Sequence, residues 1–169
     1  DIGAHVGWYG INLNRYYKNI NLHSFEPMPA NFRNLVNNFR LNGLDTSRAY
    51  NIGLFNENKT VEFYFDTENS KASSLTNLRG TDSVEKVTCE VRALDDFCEE
   101  KQLHHVDFIK CDVEGAELFV FRGAVKLIQR ETPIVFTEML RKWSAKFNYH
   151  PNDIIAFFSE LGYLCFELV

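Results

Sequence analysis

Apolar positions recur at two intervals along this chain, and the switch between them marks out its elements. In "PANFRNLVNNFRLNG", Phe32, Leu35, Val36 and Phe39 fall three or four residues apart, which places them on one helix face, and Gly43 stops the helix. The same spacing runs through "EGAELFVFRGAVKLIQR", where Ala116, Phe119, Val120, Ala124, Leu127 and Ile128 turn inward along one predicted helix. "WYGINLNRYY" predicts a helix on Trp8, Ile11 and Leu13 despite Gly10. "LDDFCEEK" predicts a short one with the acidic start that the helix dipole favours. "PNDIIAFFSELG" opens with Pro151 near its first turn and closes at Gly162.

Between these lie short apolar runs. "NLHSFEP" enters a proline stop and predicts a strand ending at Glu26; "AYNIGLF", "VDFIKCD", "PIVFTE" and "YLCFELV" read as further strands. "TVEFYF" and "KVTCEVRAL" alternate with period two and predict an antiparallel pair. The polar stretch joining them, "DTENSKASSLTNLRGTDS", reads as a solvated hairpin loop, or as a lid in which Ser73 and Ser74 cover an acceptor. Apolar strands alternating with amphipathic helices imply an α/β fold, a doubly wound, mostly parallel sheet with helices on both faces.

Composition narrows the function. The 169 residues suit one domain, and 45% hydrophobic with 24% charged residues is ordinary for a folded globular chain. A net charge of -5 argues against nucleic acid as a partner, because phosphate-backbone binding draws on dense Lys and Arg. No apolar run approaches the ~20 residues needed to span a bilayer. Cys89, Cys98, Cys111 and Cys165 show neither C-x-x-C spacing nor disulfide density, so a reducing compartment, the cytoplasm, is expected, without structural zinc. The triplet Asn58-Lys59-Thr60 matches a glycosylation acceptor, but such triplets arise by chance and point only weakly to secretion.

In doubly wound sheets ligands bind beyond the carboxyl ends of the strands. Acidic residues gather at those ends here: Asp1, Glu26, Asp112 with Glu114, and Glu138. The opening turn, "DIGAHVG", supplies Gly3 and Gly7 for close backbone approach ahead of a helix N-terminus. Glu26, at the end of the next strand, is placed to accept both hydroxyls of a ribose. Turn and carboxylate together indicate a nucleoside-containing ligand, either NAD or S-adenosylmethionine. Ala4 and His5 stand where a G-x-G-x-x-G motif would place the glycine that admits a pyrophosphate, which tilts the choice away from a dinucleotide.

"DIGAHVGWYG", "SFEPMPANFRNLVNNFRLNG", "VRALDDF", "VDFIKCDVEGAELFVFRGA" and "PIVFTE" resemble successive motifs of the FkbM-family methyltransferases, Rossmann-like class I enzymes that use S-adenosylmethionine. The resemblance runs from the first residue to about Glu138, and continues through "ELGYLCFEL". It implies that Asp1, Gly3, Ala4 and Gly7 cradle the methionine part of the cofactor, with Asp1 acting on its ammonium group directly or through water. It implies that Glu26 holds the ribose hydroxyls beside Pro27, that Asn51 and Gly53 lie near the adenine, and that Asp112 sits beside the transferred methyl. The implied reaction is methylation of a hydroxyl on a sugar, glycolipid or secondary metabolite. The alternatives are a nicotinamide-dependent oxidoreductase and a non-catalytic cofactor-binding domain of a larger protein.

Methyl transfer from a sulfonium is an in-line displacement, in which alignment supplies much of the rate. A hydroxyl acceptor must also lose a proton, and the candidate bases are Asp112, Glu114, Glu138 and His5. Lys110 lies two residues before Asp112 on the same strand face; it either pairs with Asp112 or Glu138, or steers the acceptor oxygen and tunes the base. Glu114 and Glu117 also suit a helix's first turn, a dipole interaction of about 0.3–1 kcal/mol, and for Glu117 that reading outweighs a catalytic one. Asp112, Glu114 and Glu138 offer oxygen donors to magnesium, but without a defined ligand geometry no metal is assigned. Arg141, Trp143 and Tyr149 are candidate contacts for a polar, sugar-like acceptor, and His104 and His105 are read as surface residues. The strand that should lead into Asp1 and the last strand of the sheet are absent from the sequence, so the single domain over 1–169 is expected to be partial.

Overall fold

The computed structural model describes residues 1–17, 19–66, 73–74 and 84–167. Along the chain run α1 (Trp8–Tyr16), β1 (Ser24–Phe25), α2 (Pro29–Leu41), β2 (Ala49–Tyr50), β3 (Gly53–Phe55), β4 (Lys59–Asp66), β5 (Ser73–Ser74) and β6 (Val84–Ala93). There follow α3 (Leu94–Lys101), β7 (Phe108–Cys111), α4 (Glu117–Arg122), α5 (Val125–Glu131), β8 (Ile134–Thr137), α6 (Arg141–Ser144), a 3-10 turn (Ala145–Phe147) and α7 (Pro151–Glu160).

Ile2 joins the parallel strands into one layer. It bridges Phe25 of β1 on one side and Cys111 of β7 on the other, both in parallel sense. β1 pairs in parallel with β2, and β7 with β8, so the order across the layer is β2, β1, Ile2, β7, β8. Hydrogen bonds from Ile2 N to Lys110 O (2.8 Å) and from Phe25 N to Asp1 O (2.9 Å) fix the register. A second sheet runs β3-β6-β4-β5, with β3 parallel to β6 and the other pairs antiparallel. The fold is therefore α/β with mostly parallel pairing.

Helices cover both faces of the main layer. On one face Ile109 and Cys111 of β7 join Phe97, Phe121, Leu127, Ile128 and Ile154 in the main core. On the other face Phe108 and Phe136 flank Tyr9 of α1, with ring centroids 6.4 Å from each. A smaller cluster packs Ala4 against Leu35 and Phe39 of α2. Among the described residues no helix is long and apolar enough to cross a membrane.

Three expectations need correction. "AYNIGLF" is two strands rather than one: β2 pairs with β1, and after Asn51 and Ile52 the chain changes partner, so that β3 pairs with β6. The helix expected over "EGAELFVFRGAVKLIQR" divides into α4 and α5 around Gly123. A side chain there would lie 2.1 Å from the Phe55 carbonyl oxygen, so only glycine lets the end of β3 pass so close. The restart is capped from a distance: Asp95 of α3 accepts hydrogen bonds from the amides of Lys126 and Leu127, both at 2.9 Å. Lastly, residues 163–167 form no strand. The turn at Gly162 folds them back onto α7: Tyr163 donates its amide to Phe158 O (3.0 Å) and meets that ring edge-on, leaving Leu164 and Phe166 in solvent.

Candidate functional site

A cavity of ≈ 180 Å³, open to solvent on one side, lies at the carboxyl ends of β1 and β7. Gly3, His5, Glu26 and Pro27 line it from the β1 side. Asp112, Val113, Glu114 and Ala116 line it from beyond β7, and Gly53, Leu54 and Phe63 from the second sheet. The structure thus gathers Gly3, Glu26, Pro27, Gly53, Asp112 and Glu114 from the predicted site. Asp1, Ala4, Gly7, Asn51, Lys110 and Glu138 stand behind or beside that lining.

The opening turn needs its first glycine. Gly3 has φ 73°, and a Cβ on it would stand 1.9 Å from the Asp112 carbonyl oxygen. The turn therefore folds flat against the exit of β7, while the amides of Gly3 and Ala4 both donate to Phe25 O (3.1 and 3.0 Å). Ala4 is buried against α2 and Gly7 against Phe39, so these two hold the turn rather than face the cavity.

Glu26 links the turn to α2. Its Oε2 accepts from the His5 amide (2.9 Å), and its Oε1 from the Met28 amide (3.0 Å) and Asn31 Nδ2 (3.4 Å). The residue is 4% exposed, and burial outweighs these donors, pushing its pKa above the ordinary glutamate value. Three donors leave a carboxylate, with about four lone-pair sites, able to accept from a ligand as well. Asn51 supports it from behind, donating Nδ2 to the carbonyl oxygens of both Glu26 and Pro27 at 2.9 Å.

Lys110 is a nearly buried cation directed at the turn. Its Nζ lies 2.9 Å from Gly3 O, 3.3 Å from Asp1 Oδ1 and 3.9 Å from Asp112 Oδ2. Of the two pairings open in the sequence, the structure shows the one with Asp112, at the longest of these distances, and adds Asp1 as the nearer carboxylate. The Asp1 side chain, 1% exposed, faces this ammonium. Among the described residues no Lys or Arg lines the cavity, whereas three carboxylates do.

The sequence matches the methyltransferase FkbM domain over residues 1–165. The chain belongs to the FkbM methyltransferase family. It is 29% identical over 140 residues to Methyltransferase 1 of Beauveria bassiana (strain ARSEF 2860), covering 73% of this chain and 56% of that protein. It is 28% identical over 151 residues to Methyltransferase sdnD of Sordaria araneosa, covering 73% of this chain and 58% of that protein. The chain thus spans somewhat over half the length of these curated relatives. Its fold matches the crystal structure of methyltransferase FkbM from Methylobacillus flagellatus KT with TM-score 0.63 and 20% identity, covering 95% of this chain and 35% of that one.

In this FkbM-family site Glu114 stands beside three other carboxylates, Asp112, Glu117 and Glu138. Its pKa is raised to about 7, first by burial, then by Asp112, Glu138 and Glu117, while Lys142 acts in the opposite direction. Glu138 is exposed at the end of β8, and its pKa is raised too, by burial and by Asp112. Among the described residues no group of three His, Cys, Asp or Glu side chains is arranged to hold a metal ion. Arg141 Nη1 lies 3.3 Å from His150 Nε2, Trp143 sits under the Lys142 ammonium, and Tyr149 bonds to Glu117. His104 and His105 are exposed. Ser73 and Ser74 pair their backbones with Tyr64 and Phe65, and the rest of the loop expected as a lid lies outside the described residues. Asn58 uses both ends of its amide, donating to Asp96 Oδ2 and accepting from Ala93 N, each at 2.8 Å.

Phe63 and Leu54 line the cavity without having been singled out in the sequence. Phe63 belongs to an alternating strand like any other, and only the packing of the second sheet against Met28 and Ala116 brings it to the cavity.

Proposed function

We propose that this methyltransferase binds S-adenosylmethionine in the cavity between Glu26 and Asp112, and methylates a hydroxyl of a sugar, glycolipid or secondary metabolite. The observation that carries the choice of cofactor is the charge of the lining: Glu26, Asp112 and Glu114 converge on one space with no Lys or Arg among the described lining residues. That field suits a sulfonium and an ammonium, and opposes a pyrophosphate.

Glu26 accepts from vicinal ribose hydroxyls, its carboxylate oriented in advance by the His5 and Met28 amides. Asp112, at the exit of β7 with its carboxylate half exposed, offers a negative charge to the amino acid portion of the ligand. Lys110 neutralises Asp1 and holds the Gly3 carbonyl, which keeps the turn's amides in place. When bound, S-adenosylmethionine supplies an electrophilic methyl on a sulfonium that needs no covalent enzyme intermediate. Glu114 takes the proton of the acceptor hydroxyl, and its pKa of about 7 lets it do so near neutral pH.

Calorimetry tests the cofactor. S-adenosylhomocysteine is expected to bind and NAD is not. Glu26→Ala is expected to weaken binding of the former by about 1.5–3 kcal/mol, the range for hydrogen bonds to a charged group. Absence of S-adenosylhomocysteine binding at millimolar concentration would refute the cofactor assignment, and unchanged affinity in Glu26→Ala would remove that residue from the site.

A further inference from the structure

Glu117 is a carboxylate only 4% exposed at the first position of α4. A helix-dipole role would leave it facing solvent, but its side chain turns back into the preceding loop. Oε1 accepts from the amides of Val113 (3.0 Å) and Gly115 (3.1 Å), and Oε2 accepts from the Tyr149 hydroxyl (3.1 Å). The two amides bracket Glu114, whose φ of 53° is one that side chains other than glycine rarely hold without support. Tyr149 comes from the segment between the 3-10 turn and α7, and its ring also meets Phe119 edge-on, 6.2 Å away. Before it in sequence, α6 also closes over the loop, with the Trp143 carbonyl so near Gly115 that a Cβ there would approach it to 2.8 Å.

We propose that Glu117 and Tyr149 are positioning residues that clamp residues 113–115, hold Glu114 at the cavity wall, and tie its placement to the 141–150 segment. This rests on the reading of Glu114 as the group that receives the acceptor's proton. Val113, Gly115 and Tyr149 all donate to one buried carboxylate, so loss of a single partner leaves that charge less than fully satisfied and frees the loop to relax. A rearrangement of 141–150 around an acceptor would therefore be felt at Glu114 through one side chain.

The clamp can be tested without knowing the acceptor. In Tyr149→Phe, which removes a hydroxyl and no charge, amide exchange at Val113 and Gly115 is expected to accelerate by about tenfold or more. The Glu114 carboxyl, followed by carbon NMR in the field of Asp112, Glu138, Glu117 and Lys142, is expected to titrate below its parent midpoint of about 7. Glu117→Gln, which keeps an oxygen for the two amides, is expected to retain slow exchange, whereas Glu117→Ala loses it. Unchanged exchange and an unchanged Glu114 midpoint in Tyr149→Phe would overturn the proposal, even if Glu117→Ala fails to fold. S-adenosylhomocysteine titration of the parent chain keeps the two readings apart: no binding there removes the cofactor assignment, while the exchange comparison still decides the clamp.

Discussion

Glu114→Gln is expected to lower methyl transfer to a hydroxyl acceptor by about 10²–10⁴-fold, the usual contribution of a positioned general base. The substitution keeps the shape of the side chain and removes only its ability to hold a proton. S-adenosylhomocysteine affinity should stay within about threefold, because the hydroxyl contacts of the cofactor are assigned to Glu26. The measurement is turnover with labelled S-adenosylmethionine on an acceptor found by screening sugars and hydroxylated metabolites. The parent rate should rise with pH through about 7, where Glu114 loses its proton, and that limb should be missing from the variant. A variant with near-parental turnover would shift the base to Asp112 or Glu138.

Stability carries the opposite sign. Folding raises the Glu114 pKa, so the folded state holds this proton over a pH range in which the unfolded chain has released it. Its contribution is complete below the ordinary glutamate value and is lost as pH rises through about 7. Glu26, Glu117 and Glu138 are displaced in the same direction by burial. The pH at which Glu114 would become able to accept a proton is therefore the pH at which its contribution to folding is lost. Part of the fall in melting temperature from acid to neutral pH should therefore disappear in Glu114→Gln.

Gly3→Ala is expected to be the most damaging single-methyl change in the site. The φ of 73° alone costs an alanine roughly 1–3 kcal/mol. The new Cβ would also lie 1.9 Å from a backbone oxygen, which cannot rotate aside. That oxygen belongs to Asp112, whose own amide donates to Ile2 O (3.1 Å), so relief would have to pull apart the centre of the sheet. A total above ~4 kcal/mol, at the far end of single-substitution effects, corresponds to a loss of roughly 8–16 °C in melting temperature. Gly43→Ala is the control: φ is 70° there, but nothing lies within 4 Å, so only the backbone cost applies. Equal losses in the two variants would mean that the turn does not need its close approach to β7.

Elements whose ends are chemically marked were legible in the sequence. The acidic start of "LDDFCEEK" coincides with α3, and Pro151 opens α7, where His150 and Asp153 form a capping box. The proline after Glu26 closes β1 and leaves that carboxylate at the cavity. The breaks were hidden because long-range contacts make them. Nothing in "FRGAV" shows that the Phe55 carbonyl crosses at Gly123, and nothing in "AYNIGLF" shows that its halves pair with different strands. Glu117 had a satisfactory local reading as a dipole partner, and the donor that revises it lies 32 residues away on Tyr149. Carboxylates at strand ends can be found from sequence, whereas the groups that aim them depend on topology.

The Trp143 side chain has an optical consequence. The Lys142 ammonium sits 4.3 Å from the centre of its indole, and the same ammonium opposes the rise in the Glu114 pKa. An aromatic chromophore therefore shares a charged neighbour with Glu114. The chain has two tryptophans, and the other, Trp8, is largely exposed at the start of α1. With Trp8 replaced by phenylalanine, and with excitation beyond the tyrosine band, emission would come from Trp143 alone, a label-free signal for testing whether candidate acceptors perturb the 141–150 segment.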